Sequence, residues 1–356
     1  MSRFTPAKIS HSTSEVIADA IRTPAFDAHY TDHLAQAVWR RGEGWTEQEI
    51  IPLGDLALHP ATTALHYGQA IFEGLKAYRH ADGSVWLFRP DRNAARFVDS
   101  AQRLAMEPLP AEDFLDAVTE LVKLDAAWVP EGVGEQSLYL RPLEFASQLA
   151  VAPHESAEYR FLVMATPAGR YYPKPVRLWL TRTYSRSATG GTGAAKCAGN
   201  YAAAFAAERE ATQHGCSQVL WVDSARGTRI EECGTMNFMA ITADDELITP
   251  ALTGTILPGI TRDSLLRLTP DHGLEAVERD ITVDELRDGI ASGTIREAFA
   301  CGTAAVITPI VGFEGDDWRA DLPPEAGPRT LELREHLVGI QYGTRSDDRG
   351  WMTQVC

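Results

Sequence analysis

The spacing of apolar residues along this chain changes period several times, and each change marks an element. Across residues 92–104 apolar side chains recur at Ala95, Val98, Ala101 and Leu104, and across 114–124 at Phe114, Val118, Leu121 and Val122. Spacings of three and four predict two helices, each turning one face to a core. Short runs rich in β-branched and aromatic residues predict strands at 85–88 (after the turn Ala81-Asp82-Gly83), 159–165, 176–181, 218–222 and 237–241. Asn200 is placed to cap a helix over 201–214 that Gly215 stops. ITRDSLLRL reads as a helix opened by Leu257-Pro258-Gly259, and Cys301-Gly302-Thr303 opens a strand-like run at 304–307. This alternation predicts an α/β fold. The segment AGRYYPKPV, stiffened by Pro173 and Pro175, separates two of the strands and marks a domain boundary. The expected division is therefore a domain over 1–170, a linker over 171–175 and a second domain over 176–356.

Composition narrows the function classes. A chain of 356 residues has room for two domains, and 33 basic against 49 acidic residues give a net charge of −16. That excess argues against nucleic acid and anionic membrane surfaces as partners. The N-terminus has no continuous apolar stretch of signal-peptide type, and no segment reaches the length of a membrane span, so a cytoplasmic protein is expected. The five cysteines are widely spaced, with no paired spacing for zinc or a redox couple, which fits reduced thiols and no metal site.

Only Lys8, Lys76, Lys123, Lys174 and Lys196 supply amines, and Lys196 sits in GGTGAAKCAGNY among small residues. A surround of this kind favours the neutral, nucleophilic amine, whose commonest use is a Schiff base with pyridoxal phosphate. A phosphate-cradling loop does not fit, because Ala195 stands where the second glycine belongs and Cys197 where Ser or Thr would hold magnesium. Two further features suit such a cofactor. The amides of Ile260 and Thr261 open a helix and offer an anion site, to which Gly302-Thr303 adds a hydroxyl and an N–H. Glu232, in IEECGTMNFM, is placed to hold the proton of a ring nitrogen. Each feature also has an ordinary reading: a solvated lysine, a turn before a helix, an exposed acidic pair at a strand entrance.

The blocks LHPATTALHYGQAIFEGLKAYR, SLYLRP, GGTGAAKCAGNY, HGCSQVLWVD, EECGTMNFM, GTILPGITR and REAFACGTAAVITP occur in one order along nearly the whole chain. Together they resemble the branched-chain amino acid aminotransferases, class IV pyridoxal phosphate enzymes of fold type IV. The resemblance implies a smaller N-terminal α/β domain, a larger C-terminal pseudo-barrel domain and the cofactor between them. It also implies a homodimer in which one subunit's loop helps close the other's pocket. The reaction implied is transfer of the amino group of leucine, isoleucine or valine to 2-oxoglutarate, giving the 2-oxo acids and glutamate.

Carried over position by position, the resemblance makes Lys196 the cofactor-bearing lysine and the base that moves the substrate proton. Tyr201 would meet the cofactor phenolate oxygen, Glu232 the ring nitrogen, and Arg96 the phosphate, with Ile260, Thr261 and Thr303 completing that grip. Arg186 and Thr235 match positions near cofactor and substrate. Tyr67, Phe72, Tyr139 and Tyr171 would wall the side-chain pocket, the Thr303 and Ala304 amides would take the α-carboxylate, and Arg141 the distal carboxylate of glutamate. Where animal members carry a two-cysteine motif this chain has Ala305 and Thr308, so no redox switch of that kind is expected. D-amino acid transaminases and aminodeoxychorismate lyases would share the lysine and glutamate but not the long LHYGQAIFEGLKAYR and SLYLRP blocks. A catalytically dead binding protein would have no reason to keep Lys196, Glu232 and Arg96 together.

Overall fold

A computed structural model describes residues 2–7 and 9–356, so Lys8 lies outside the described residues. Two compact units emerge: Met1–Tyr171 with Ala195–Gly199 and Gly339–Cys356, and Tyr172–Ala194 with Asn200–Val338. They differ from the division expected at residues 171–175 in two places. The Lys196 segment belongs with the N-terminal half because Ile71 bridges Cys197 through the backbone. The C-terminus belongs there too, because the strand Met352–Gln354 pairs with Val85–Phe88. A cut read from prolines alone cannot detect such returns of the chain, which depend on long-range pairing.

The first unit is built on one sheet. Its strands are β1 (Thr5–Pro6), β2 (His33–Arg40), β3 (Gly44–Pro52), β4 (Ala70–Phe72), β5 (Leu75–Arg79), β6 (Val85–Phe88), β7 (Ser137–Ala146) and β8 (Glu158–Ala168). They run in the order β1-β3-β2-β8-β7-β5-β6, ending on the C-terminal strand, with β4 also paired to β7. Two helices contribute to its core. Pro90–Arg103 begins with proline at a first-turn position, where a missing N–H costs nothing, and buries Ala94, Phe97 and Ala101. Of the face expected from apolar spacing only Ala101 is buried, Ala95 being exposed and Val98 and Leu104 half-buried. Ala111–Leu124 buries Phe114, Val118, Leu121 and Val122. Their rings meet the sheet at Phe161, 5.6 Å from Phe97 and 6.2 Å from Phe114.

The second unit contains β9 (Val176–Leu180), β10 (Gln218–Val222), β11 (Ile230–Cys233), β12 (Met236–Thr242), β13 (Glu246–Thr249), β14 (Glu275–Glu278), β15 (Ile295–Gly302), β16 (Val306–Glu314) and β17 (Arg319–Asp321). The ladder β11-β10-β9-β16-β15-β12 closes, because β12 also pairs with β11. Closure joins these six strands into a barrel, from which β13 and β14 continue beyond β12. The fold is mixed α/β with a closed, barrel-like sheet. Strand β9 runs parallel to both its neighbours, which a hairpin cannot achieve. The crossover from β9 to β10 includes the helix Phe205–Gln213.

Three local expectations change. The helix expected over 201–214 is two pieces, Ala198–Ala202 and Phe205–Gln213. Asn200 lies inside the first rather than capping it. Its amide donates to Thr192 O at 2.8 Å and its Oδ1 accepts from the Thr192 hydroxyl at 2.6 Å, tying the helix to the glycine loop. The strand expected over 304–307 is instead a hairpin: Gly302 pairs with Val306, leaving Thr303, Ala304 and Ala305 as its loop. Val306 follows in the left-handed region at φ 58°.

Candidate active site

In the first unit Lys196 is held by its backbone from two sides. Its carbonyl accepts from Phe72 N at 3.0 Å, and its N–H donates to Ser100 Oγ, also at 3.0 Å. Ser100 in turn donates to Arg96 O at 2.8 Å, so the lysine is registered against the helix Pro90–Arg103. The Lys196 Nζ lies 5.0 Å from the centroid of the Phe72 ring. Between Phe72 and Gly74 stands Glu73, fully buried. Arg96 Nε and Nη2 donate to its two oxygens at 2.7 and 2.9 Å, and Asn93 Nδ2 donates at 2.7 Å. Burial pushes the Glu73 carboxyl upward. The Arg96 guanidinium, the charge of Lys196 and Asn93 outweigh that and hold it below the ordinary carboxylate range. The small-residue surround expected for Lys196 therefore includes a buried carboxylate.

Strand β7 presents Tyr139 and Arg141 on one face. The Arg141 guanidinium lies 4.9 Å from the Phe72 ring centroid and 5.4 Å from that of Tyr139, and its Nη2 donates to Tyr139 Oη at 3.1 Å. Gly74 leaves the space this hydroxyl occupies, since a Cβ there would collide with it. Phe26 joins Tyr139 to Tyr171, with edge-on contacts at 5.3 and 4.9 Å. Phe72, Tyr139, Arg141 and Tyr171 thus form one linked group of aromatic and cationic side chains. Tyr67 stands apart from it: 45% exposed, it ends the short helix Ala64–Tyr67 and donates to Val151 O.

In the second unit the acidic pair is buried, not exposed. Glu232 Oε2 accepts from Arg186 Nε at 2.6 Å, and its Oε1 accepts from Leu257 N at 2.8 Å and Asn237 Nδ2 at 3.2 Å. Glu231 has a separate partner, Thr255, whose hydroxyl donates at 2.6 Å. Burial raises the Glu231 carboxyl above its ordinary value. Arg186 Nη1 also donates to Thr255 O at 3.0 Å, fixing the guanidinium beside Glu232. The helix Ile260–Leu268 begins after Gly259 with no side-chain cap, so the amides of Ile260 and Thr261 open its first turn. A Cβ on Gly259 would collide with Asn237 Oδ1, which links this turn to the Glu232 partners.

Strand register brings two loops to one end of the barrel. Gly234 and Thr235 form the turn between β11 and β12, where Cys233 pairs with Met236. Asn237 pairs with Cys301, so the loop of Thr303 and Ala304 follows beside it. Tyr201 lies on the helix Ala198–Ala202. Each unit accordingly gathers one set of polar groups with chemistry to offer: an amine, a buried ion pair and an aromatic wall in the first, a braced carboxylate and an open helix turn in the second.

The sequence matches the amino-transferase class IV family over residues 70–313. It is also 45% identical to a branched-chain-amino-acid aminotransferase of Mycolicibacterium smegmatis, over 98% of this chain and 97% of that protein. The chain belongs to the class IV aminotransferases. A branched-chain-amino-acid aminotransferase of Mycobacterium tuberculosis is 46% identical over 94% of this chain and 93% of that one. Among solved structures, the Escherichia coli branched-chain amino acid aminotransferase superposes with a TM-score of 0.73 at 26% identity, covering 90% of this chain and 100% of that one. The branched-chain aminotransferase of Thermoproteus uzoniensis, solved with norvaline, also gives 0.73, at 27% identity, covering 90% and 100%.

Three contributors to this aminotransferase's candidate site were not anticipated from sequence: Glu73, Asn93 and Phe26. An acid between Phe72 and Gly74 in an otherwise apolar block was the available signal for Glu73. Its partners lie 20 and 23 residues away on a helix, a pairing that only the fold creates. Among the thiols, burial pushes Cys301 up to about 12 and Cys233 well above its ordinary value, which keeps both from acting as thiolates. Among the described residues no helix is long and apolar enough to cross a membrane.

Proposed function

We propose that this enzyme is a branched-chain amino acid transaminase that uses pyridoxal 5'-phosphate and works as a homodimer. It moves the amino group between leucine, isoleucine or valine and 2-oxoglutarate. The observation that carries the reading is the positioned amine: Lys196, gripped through both backbone groups and set over Phe72, in a chain so similar to branched-chain aminotransferases over nearly its full length. The donor set fits the cofactor chemically. It includes a primary amine and an arginine that both act on buried Glu73, an uncapped helix turn suited to a phosphate dianion, and a buried carboxylate surrounded by N–H donors.

When bound, pyridoxal phosphate supplies an electron sink for the charge left as the substrate α-carbon loses its proton. The chain's own groups do the rest. Lys196 Nζ is the group that would hold the cofactor, and as a free amine it would move the proton at the substrate Cα. Glu232, braced by Arg186, Asn237 and Leu257 N, keeps a proton on the ring nitrogen, and Tyr201 donates to the phenolate oxygen. Arg96, the Ile260 and Thr261 amides and Thr303 hold the phosphate. The two Arg96 nitrogens that donate to Glu73 fix the plane of the guanidinium for this role. Phe72, Tyr139 and Tyr171 enclose an aliphatic side chain, and Arg141 offers a charge-assisted partner to the distal carboxylate of glutamate. The Thr303 and Ala304 amides take the α-carboxylate, with Thr235 beside them.

Borohydride reduction followed by peptide mapping tests the assignment. The cofactor should be fixed on Lys196, and Lys196→Ala should abolish both the label and turnover. A label on Lys76 or Lys174 would refute it. Amino-donor profiling with 2-oxoglutarate as acceptor tests the substrate class, and activity confined to D-alanine would overturn it.

A further inference from the structure

Glu144 lies near the end of β7, on the face opposite Tyr139 and Arg141. Its cross-strand neighbours are Ile71 on β4 and Phe161 on β8, both fully buried. Directly opposed residues of an antiparallel ladder point the same way, so this carboxyl enters the apolar core that Phe161 shares with Phe97 and Phe114. It is 0% exposed, and among the described residues neither of its oxygens has a hydrogen-bond partner. A carboxylate in such a place would forfeit its hydration without any compensating bond, whereas the neutral acid loses far less.

We propose that Glu144 is folded into the core as the neutral acid, and that its ionisation is a charge-sensitive weak point beneath the strand bearing Tyr139 and Arg141. The groups around it would not relieve a charge. From β8 the same face brings Tyr159, whose hydroxyl donates to Ala105 O at 3.3 Å. Burial, with Glu155 and then Glu144 adding to it, pushes that phenol up to about 12. From the stretch after the helix Pro90–Arg103 comes Glu107, a like charge. Strand β4 contributes Ile71, and no cation. Burial first, then Glu107, raises the Glu144 carboxyl well above its ordinary 4.5. The position matters because Ile71 also bridges Cys197, next to Lys196. Loosening β4 between these two partners would disturb the lysine's backbone anchor.

The sign of the effect follows from linkage. A folded carboxyl titrating above its unfolded value stabilises fully below that value, and the contribution is lost as pH rises through the folded one. Across that window the unfolding constant of the wild type should rise up to about tenfold per pH unit relative to a variant without the carboxyl. Two measurements on the full-length holoenzyme test this, with Glu144→Gln and Glu144→Leu compared against wild type. Infrared spectra near neutral pH should contain a protonated-carboxyl C=O band that both variants lose. Denaturant melts between pH 5 and pH 9 should show both variants gaining on the wild type as pH rises, Leu most because it leaves no polar atom unpaired. Absence of that band, or a stability gap that is flat with pH in both variants, would overturn the proposal.

Discussion

At the scale of single residues, Glu73 shows how a buried charge is tolerated and what it then controls. A fully buried carboxylate is costly unless its charge and lone pairs are met, and here Arg96 meets two oxygens at once while Asn93 adds a third bond. Glu73→Gln keeps the shape but leaves the Arg96 guanidinium uncompensated, a loss of about 3 kcal/mol or more for breaking a buried pair. The gap should depend on pH. Because the folded carboxyl titrates below its ordinary 4.5, its stabilisation is present above that value and is lost as pH falls through the folded one. Urea melts of wild type and Glu73→Gln should therefore differ fully at pH 7 and converge as pH drops below about 4. A gap that persists unchanged into acid would mean that ionisation of the carboxyl is not its source.

At the scale of elements, the turn before the helix Ile260–Leu268 carries a specific constraint. Gly259 has φ −67°, which any residue adopts, so backbone freedom is not the reason for a glycine there. The reason is contact: a Cβ would strike Asn237 Oδ1, and Asn237 also donates to Glu232 and to Leu257 O. Gly259→Ala should cost about 1–3 kcal/mol as an overpacked site. It should also speed cofactor loss, measured as the decay of cofactor absorbance on dilution, more than a Gly54→Ala control, where a Cβ meets nothing within 4 Å. Equal effects of the two would refute the contact argument. The same element shows what the sequence made legible. Helix 260–268 and strand 218–222 were readable because apolar spacing and local turn residues define them. The hairpin loop at Thr303 and Ala304 was not, because nothing local distinguishes a strand's end from its start until Gly302 pairs with Val306. Likewise Lys196 and Glu232 stood out by their motifs, whereas Glu73 and Asn93 became visible only once strand and helix met.

At the scale of the whole molecule, net charge and one apolar surface pull in opposite directions. The chain carries −16, so two copies repel at long range, and salt that screens the repulsion favours association. Against this, Leu65, Tyr67, Leu149 and Val151 are exposed by 61, 45, 58 and 71%. They belong to two segments stitched side by side, Thr63 N donating to Gln148 O at 3.0 Å and Ala150 N to Ala61 O at 2.9 Å. An apolar group assembled this way and left exposed is a surface to be covered, and the homodimer proposed above would cover it. In a two-fold interface each residue counts twice, and burying an aliphatic side chain is worth about 1.5–3 kcal/mol. Replacing both Leu149 and Val151 by aspartate should then weaken the dimer by at least about 6 kcal/mol, roughly four orders of magnitude in Kd. Sedimentation at physiological salt should find wild type dimeric and the double variant monomeric, with an unchanged far-ultraviolet spectrum. Lowering the salt should shift wild type toward monomer, as expected for association opposed by like charge. A double variant that remains dimeric would place the interface elsewhere on the molecule.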